Sequence, residues 1–136
     1  MSEKNFKNQV IKNLKKIGML TQKIESSTAP GIPDLFYSNR NVCGWIEFKY
    51  IIDWPKKSNS IVPIKITNHQ KLWIKKWDSP GCHVFLMLKI AQDSMIFNSH
   101  KILCINSYAR RELVECALQN WHKRTDYQEL FKILTN

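Results

Sequence analysis

Two short segments carry residue types that could do metal-assisted chemistry together. Asp34 lies in Gly31-Ile32-Pro33-Asp34-Leu35, and Glu47 and Lys49 lie in Trp45-Ile46-Glu47-Phe48-Lys49. Carboxylates are hard oxygen ligands that favour Mg²⁺ or Mn²⁺. The backbone carbonyl of Phe48, between the two functional side chains, could add a ligand. A divalent ion held there would lower the pKa of its water and neutralise charge on a phosphate. The Lys49 amine would orient the attacking water or stabilise developing negative charge. Such a set suits phosphodiester hydrolysis. The bland alternatives are a turn-capping Asp34 and a solvated Glu47–Lys49 ion pair. A carboxylate in so apolar a strand nevertheless needs a partner or a metal.

The elements around these residues must bring them together. Residues 33–37 and 42–50 are rich in aromatic and β-branched side chains and read as strands, with a hairpin turn at Ser38-Asn39-Arg40-Asn41. Antiparallel pairing places Asp34, at the start of one strand, beside Glu47 and Lys49, late in the other. Alternation puts Glu47 and Lys49 on one face and Ile46, Phe48 and Tyr50 on the other. Upstream, Phe6, Val10, Leu14 and Ile17 recur at helical spacing and predict a helix over 2–17, followed by an extended segment at 20–25 and a loop at 26–31. Downstream, 53–66 reads as a polar loop, and 68–77 as a helix capped by Thr67 and stopped at Pro80-Gly81. The apolar run 83–90 fits a buried central strand. Residues 95–97 and 102–105 read as short strands, and 107–121 and 126–134 as helices. The expectation is a single α/β domain over 1–136, with a mixed sheet flanked by helices.

Lys and Arg number 21 against 11 Asp and Glu, a formal net charge of +10. That excess favours a polyanionic partner and makes a basic face on a folded domain the natural reading. Trp54, beside Pro55-Lys56-Lys57, is a candidate for stacking on bases. Lys56 and Lys57, with Lys65, Lys71 and Lys75, are candidates for contacts to a nucleic-acid backbone. Trp45, Trp73 and Trp77 are assigned to the core. No run approaches a membrane span or a signal sequence, which points to a cytoplasmic protein without a membrane partner. The cysteines at 43, 82, 104 and 116 lack zinc-ligand spacing. Neither a structural zinc site nor a disulfide is expected.

The motif pair resembles the PD-(D/E)xK nuclease superfamily. The fuller pattern, Gly31-x-Pro33-Asp34, then Glu47-x-Lys49, then a helix bearing Gln70, is similar to its VRR-NUC branch and to Holliday-junction-resolvase-like nucleases. It covers roughly residues 1–90. The resemblance implies a restriction-endonuclease-like fold, Mg²⁺ or Mn²⁺ as cofactor, and structure-selective cutting of DNA, on branched or nicked forms. It also implies an acidic ligand from the first helix, for which Glu3 is the candidate and Glu25 the rival. Gln70 takes either of two roles, a capping box with Thr67 or a place at the active edge. A homodimer would suit two cuts in a symmetric junction. The small basic domain suits a phage or mobile element. The competing class is a non-catalytic nucleic-acid-binding module on the same fold.

Overall fold

A computed structural model describes residues 1–25 and 30–136. Six strands form one sheet in chain order: β1 (Leu20–Lys23), β2 (Leu35–Ser38), β3 (Cys43–Ile51), β4 (Cys82–Ile90), β5 (Asp93–Phe97) and β6 (Gln119–His122). Neighbours pair antiparallel except β3 and β4, which run parallel. A parallel pair needs a crossover, and that crossover carries helix α2 (Asn68–Trp77). The expected α/β domain with a mixed sheet and flanking helices is the observed one.

Each face of the sheet is covered. On the first, α1 (Glu3–Lys16) and α5 (Tyr127–Thr135) lay Phe6, Val10, Leu14, Leu130 and Leu134 on Ile46, Phe48 and Met87. On the second, Ile74 of α2, Ile102 of α3 (Ser99–Ile102) and Leu113 of α4 (Arg110–Cys116) join the segment Val62, Ile64, Ile66 against Val84, Leu86 and Leu88. β4 is therefore apolar on both sides, which is why it reads as a continuous run. Gly44 makes room for one cross-strand contact. A Cβ there would lie 2.3 Å from the Tyr37 hydroxyl oxygen. The ring crosses the glycine, and its hydroxyl donates to the Leu134 carbonyl at 2.8 Å, tying α5 to the sheet.

Three expectations need correction. Residues 102–105 are not a strand. Asn98 caps α3 by accepting from the Lys101 N–H, and a short 3-10 turn, Ile105–Ser107, follows. Ile102 and Ile105 both enter the second core, and spacing by three is helical; a four-residue apolar run is too short for periodicity to decide. Residues 107–121 are not one helix. α4 ends at Cys116, the Leu118 N–H donates to the Ile96 carbonyl, and the chain joins the sheet edge as β6. Leu113 and Trp121 belong to opposite cores, so no single helix could have buried both. Trp77 is half exposed rather than core, stacked on Trp73 with ring centroids 5.5 Å apart at the end of α2. The expected loop at 26–31 lies outside the described residues over 26–29. Among the described residues, no helix is long and apolar enough to cross a membrane.

Candidate active site

The site grows from a mismatch in strand length. β3 has nine residues and β2 four, so among the described residues the second half of β3 has no strand partner on that side. The register Leu35↔Ile46 continues to put Asp34 opposite Glu47 and Pro33 opposite Phe48. Proline has no N–H to give to a ladder. The Phe48 N–H instead donates to Asp34 Oδ2 at 3.0 Å. N–H and C=O of one strand residue point to the same side. The Phe48 carbonyl therefore faces the same gap, opposite a proline that cannot bond it. The Asp34 carbonyl accepts from the Ile24 N–H at 2.9 Å, which fixes the loop from the other side.

Glu47 is the buried member. Only 7% of it is exposed, on the α2 face of the sheet. Lys49 Nζ stands 3.6 Å from Glu47 Oε2. Gln70 Nε2 donates to the same oxygen at 2.9 Å. Burial pushes the Glu47 carboxyl up from the ordinary 4.5 to about 8. The facing Asp34 charge pushes the same way, Lys49 opposes it, and Glu3 adds a smaller push upward. A carboxylate so enclosed, with another opposite, is costly as an anion unless a cation joins it.

Gln70 forms the capping box and also reaches Glu47. Its Oε1 accepts from the Thr67 N–H at 2.9 Å while the Thr67 hydroxyl accepts from the Gln70 N–H, a complete capping box. The cap requires an acceptor and so consumes the amide oxygen, leaving the amide nitrogen for Glu47. Gly31 brings this helix start to the loop. Its φ is +89°, and a Cβ would lie 2.3 Å from the His69 carbonyl oxygen. Only glycine permits that approach.

The remaining expected residues divide between a groove beside Lys49 and other parts of the surface. Glu3 is exposed at the start of α1, not inward, and lines a groove of about 270 Å³ with Lys49, Tyr50 and Lys65. Glu25 is exposed just past β1. Among the described residues, no three His, Cys, Asp or Glu side chains are grouped to hold a metal ion. Lys56, Lys57 and Lys75 are exposed, and Lys71 is half-buried. Trp54 packs on the second core, its Nε1–H donates to Asp93 Oδ2 at 2.8 Å, and the Arg110 guanidinium lies 4.5 Å from its ring. Sequence spacing gave no sign of that last cluster, nor of the Cys43 and Cys82 sulfurs, which lie 3.0 Å apart on paired strands.

The fold is similar to that of a solved nuclease. The chain superposes on Hjc, a Holliday junction resolvase from the archaeal hyperthermophile Archaeoglobus fulgidus, with a TM-score of 0.55 and 16% identity, covering 71% of this chain and 77% of that one. At that identity the likeness carries the architecture, a restriction-endonuclease-like sheet flanked by helices. No protein-family model and no curated protein matches the chain.

Proposed function

We propose that the chain is a divalent-metal-dependent deoxyribonuclease that cuts DNA internally and selects branched or nicked structures. The observation that carries this reading is Glu47, a carboxylate buried opposite Asp34 and held at one oxygen by Gln70 and Lys49. The donor set fits Mg²⁺ or Mn²⁺. Such ions take one or two carboxylates and keep several waters, so a third acidic ligand is not required. Asp34, Glu47 and the Phe48 carbonyl would hold the ion, with Glu3 acting on it through the groove rather than as a direct ligand. When bound, it would supply an activated water and neutralise phosphate charge.

The protein's own groups do the positioning. Glu47 would serve as a ligand in its deprotonated form, its proton released to solvent. Gln70 keeps its Oε2 fixed, so the geometry is set before substrate arrives. Lys49 lies on the same face and offers an N–H to the attacking water or to the scissile phosphate oxygen. Lys65 lines the groove beside Lys49 and would meet a neighbouring phosphate. Two cuts in a symmetric junction would need two chains, since each carries one such site.

The decisive experiment incubates the protein with branched, nicked, single-stranded and linear duplex DNA in Mg²⁺, Mn²⁺ or EDTA, alongside Glu47→Ala and Lys49→Ala. Cleavage that needs metal and falls by about 10²-fold or more in each variant supports the reading. Cutting in EDTA, or full activity in both variants, sinks it. Tight binding with no cutting in any metal would make the chain a binding module instead.

A further inference from the structure

The C-terminal third carries no sequence motif, yet the topology brings one of its clusters to the active end of the sheet. Ile51 pairs with Ile90, Ile90 with Asp93, and Asp93 with His122, so the end of β6 lies level with the end of β3. Met95 and Phe97 belong to the second core. By alternation, Asp93 and its partner His122 share the face of Glu47 and Lys49.

The cluster is built, not scattered. Asp93 Oδ1 bonds His122 Nδ1 at 2.7 Å, and Asp93 Oδ2 accepts from Trp54 at 2.8 Å. Burial alone would push the Asp93 carboxyl up, but these two bonds and the nearby charges of His122 and Arg110 hold it below the ordinary range. The His122 side chain remains 63% exposed. The Arg110 guanidinium lies over the ring of Trp54, the residue that Asp93 anchors. The next two residues are cations on a strained turn. Lys123 has φ +67°, and the Arg124 N–H donates back to the His122 carbonyl at 2.8 Å. A γ-turn with positive φ at a residue other than glycine is rare and costs energy. The Lys123 N–H is also spent, on the Gln92 carbonyl at the β4–β5 turn. The result is four exposed basic side chains whose backbones are fixed, with one acidic residue among them already used to orient His122.

We propose that Arg110, His122, Lys123 and Arg124 form a second phosphate site that grips the DNA backbone away from the point of cleavage. This rests on the nuclease reading above and adds to it the path of the duplex. Four residues along β3 and three strand spacings across the sheet separate Glu47 from His122, about 20 Å. At 3.4 Å per step that is about six base pairs of duplex. The occupant is therefore a duplex arm of about that length or more, held by its phosphates and not read by sequence.

The test measures affinity in Ca²⁺, which avoids turnover, for two duplex substrates whose arms reach about four and about twelve base pairs from the cleavage point. The variant combines Lys123→Gly, which tolerates the positive φ, with Arg124→Gln. Wild type should bind the long-armed DNA about tenfold tighter than the short-armed one, and the variant should bind the two alike. The slope of log affinity against log salt on the long arm should fall by about two. An unchanged slope, or an equal loss on both substrates, overturns the inference. A wild type that binds neither duplex at any salt overturns the nuclease reading itself, so the two failures are distinguishable.

Discussion

Glu47→Gln should stabilise the protein when no metal is present, by an amount that depends on pH. The folded-state value of about 8 lies above the ordinary 4.5. Between those values the folded chain keeps a proton that the unfolded chain has lost. Stability contributed by this group is thus fully present below about pH 4.5 and is lost as pH rises through about 8. Each tenfold difference in proton affinity is worth about 1.4 kcal/mol, which sets a ceiling of about 5 kcal/mol above pH 8. The anion can relax by drawing in water and by turning toward Lys49, so the expected gain is about 2–3 kcal/mol. For a chain of this length each kcal/mol moves the melting temperature by roughly 3–4 °C, giving about 6–12 °C. The glutamine keeps the shape and still offers an oxygen to Gln70. The assay is a thermal melt of both proteins in EDTA from pH 5 to 9. The two curves should converge near pH 5 and separate steadily above it, with the variant higher. Saturating Mg²⁺ or Mn²⁺ should raise the wild type and leave the variant nearly unmoved, because ligand linkage stabilises only the form that binds. Parallel pH profiles in EDTA, or equal stabilisation by metal, would refute the idea that a buried, cation-demanding carboxylate sits at this position.

Other outcomes follow from neighbouring contacts. Gly31→Ala adds a Cβ 2.3 Å from the His69 carbonyl oxygen at φ +89°, so a melt should show a loss of about 2 kcal/mol or more, together with lost cleavage; a variant of normal stability would count against the close approach. Gln70→Ala leaves both the Thr67 N–H and Glu47 Oε2 short of a partner, so about 1–2 kcal/mol of stability should go, and the metal dependence of cutting should shift to higher concentration. If only stability changed, Gln70 would be a cap and nothing more. Tyr37→Phe removes the hydroxyl that holds the Leu134 carbonyl, and should cost about 1 kcal/mol with faster amide exchange in α5; unchanged exchange would show that the tether is idle. Burial pushes the Cys82 thiol up to about 11, so iodoacetamide at pH 8 should label the exposed Cys104 well before Cys82, and the reverse order by mass mapping would be contrary evidence.

How much of this was visible in the sequence depended on how local the decisive contact was. Asp34, Glu47 and Lys49 come together through one short hairpin turn, and period-two alternation assigns their faces, so the trio could be read directly. Gln70 was half legible. Its capping-box spacing is local, but the bond to Glu47 depends on where α2 docks, and that is fixed by Gly31 meeting His69. The grouping of Trp54, Asp93, Arg110 and His122 needs the β4–β5 and β5–β6 pairings and the placement of α4, and its two side-chain bonds join residues 39 and 29 positions apart. Cys43 and Cys82 are likewise 39 residues apart and meet only because β3 and β4 are parallel. The segment 107–121 misled because its apolar residues serve two different cores, a pattern that can imitate one amphipathic helix.

The two motif residues that carry no charge, Gly31 and Pro33, explain how the charged ones are placed. A strand that outruns its neighbour leaves N–H and C=O groups without ladder partners, and buried groups of that kind must find others. Here Pro33 sits where the next ladder residue would be and withholds an N–H, so the Phe48 carbonyl is spared that ladder bond. The following side chain, Asp34, reaches across to take the Phe48 N–H, which fixes one of its oxygens. Gly31 lets the same loop press on the first turn of α2, so that the helix start can send Gln70 to Glu47. One backbone gap thus supplies a carbonyl, orients one carboxylate and, through the helix, orients the second. It follows that Pro33→Ala, which restores an N–H opposite Phe48, should harm metal binding more than folding. The carbonyl gains a competing donor while the loop keeps an allowed conformation. Isothermal titration with Mn²⁺ beside a thermal melt separates the two effects, and a Pro33→Ala protein with unaltered Mn²⁺ affinity would show that the carbonyl takes no part.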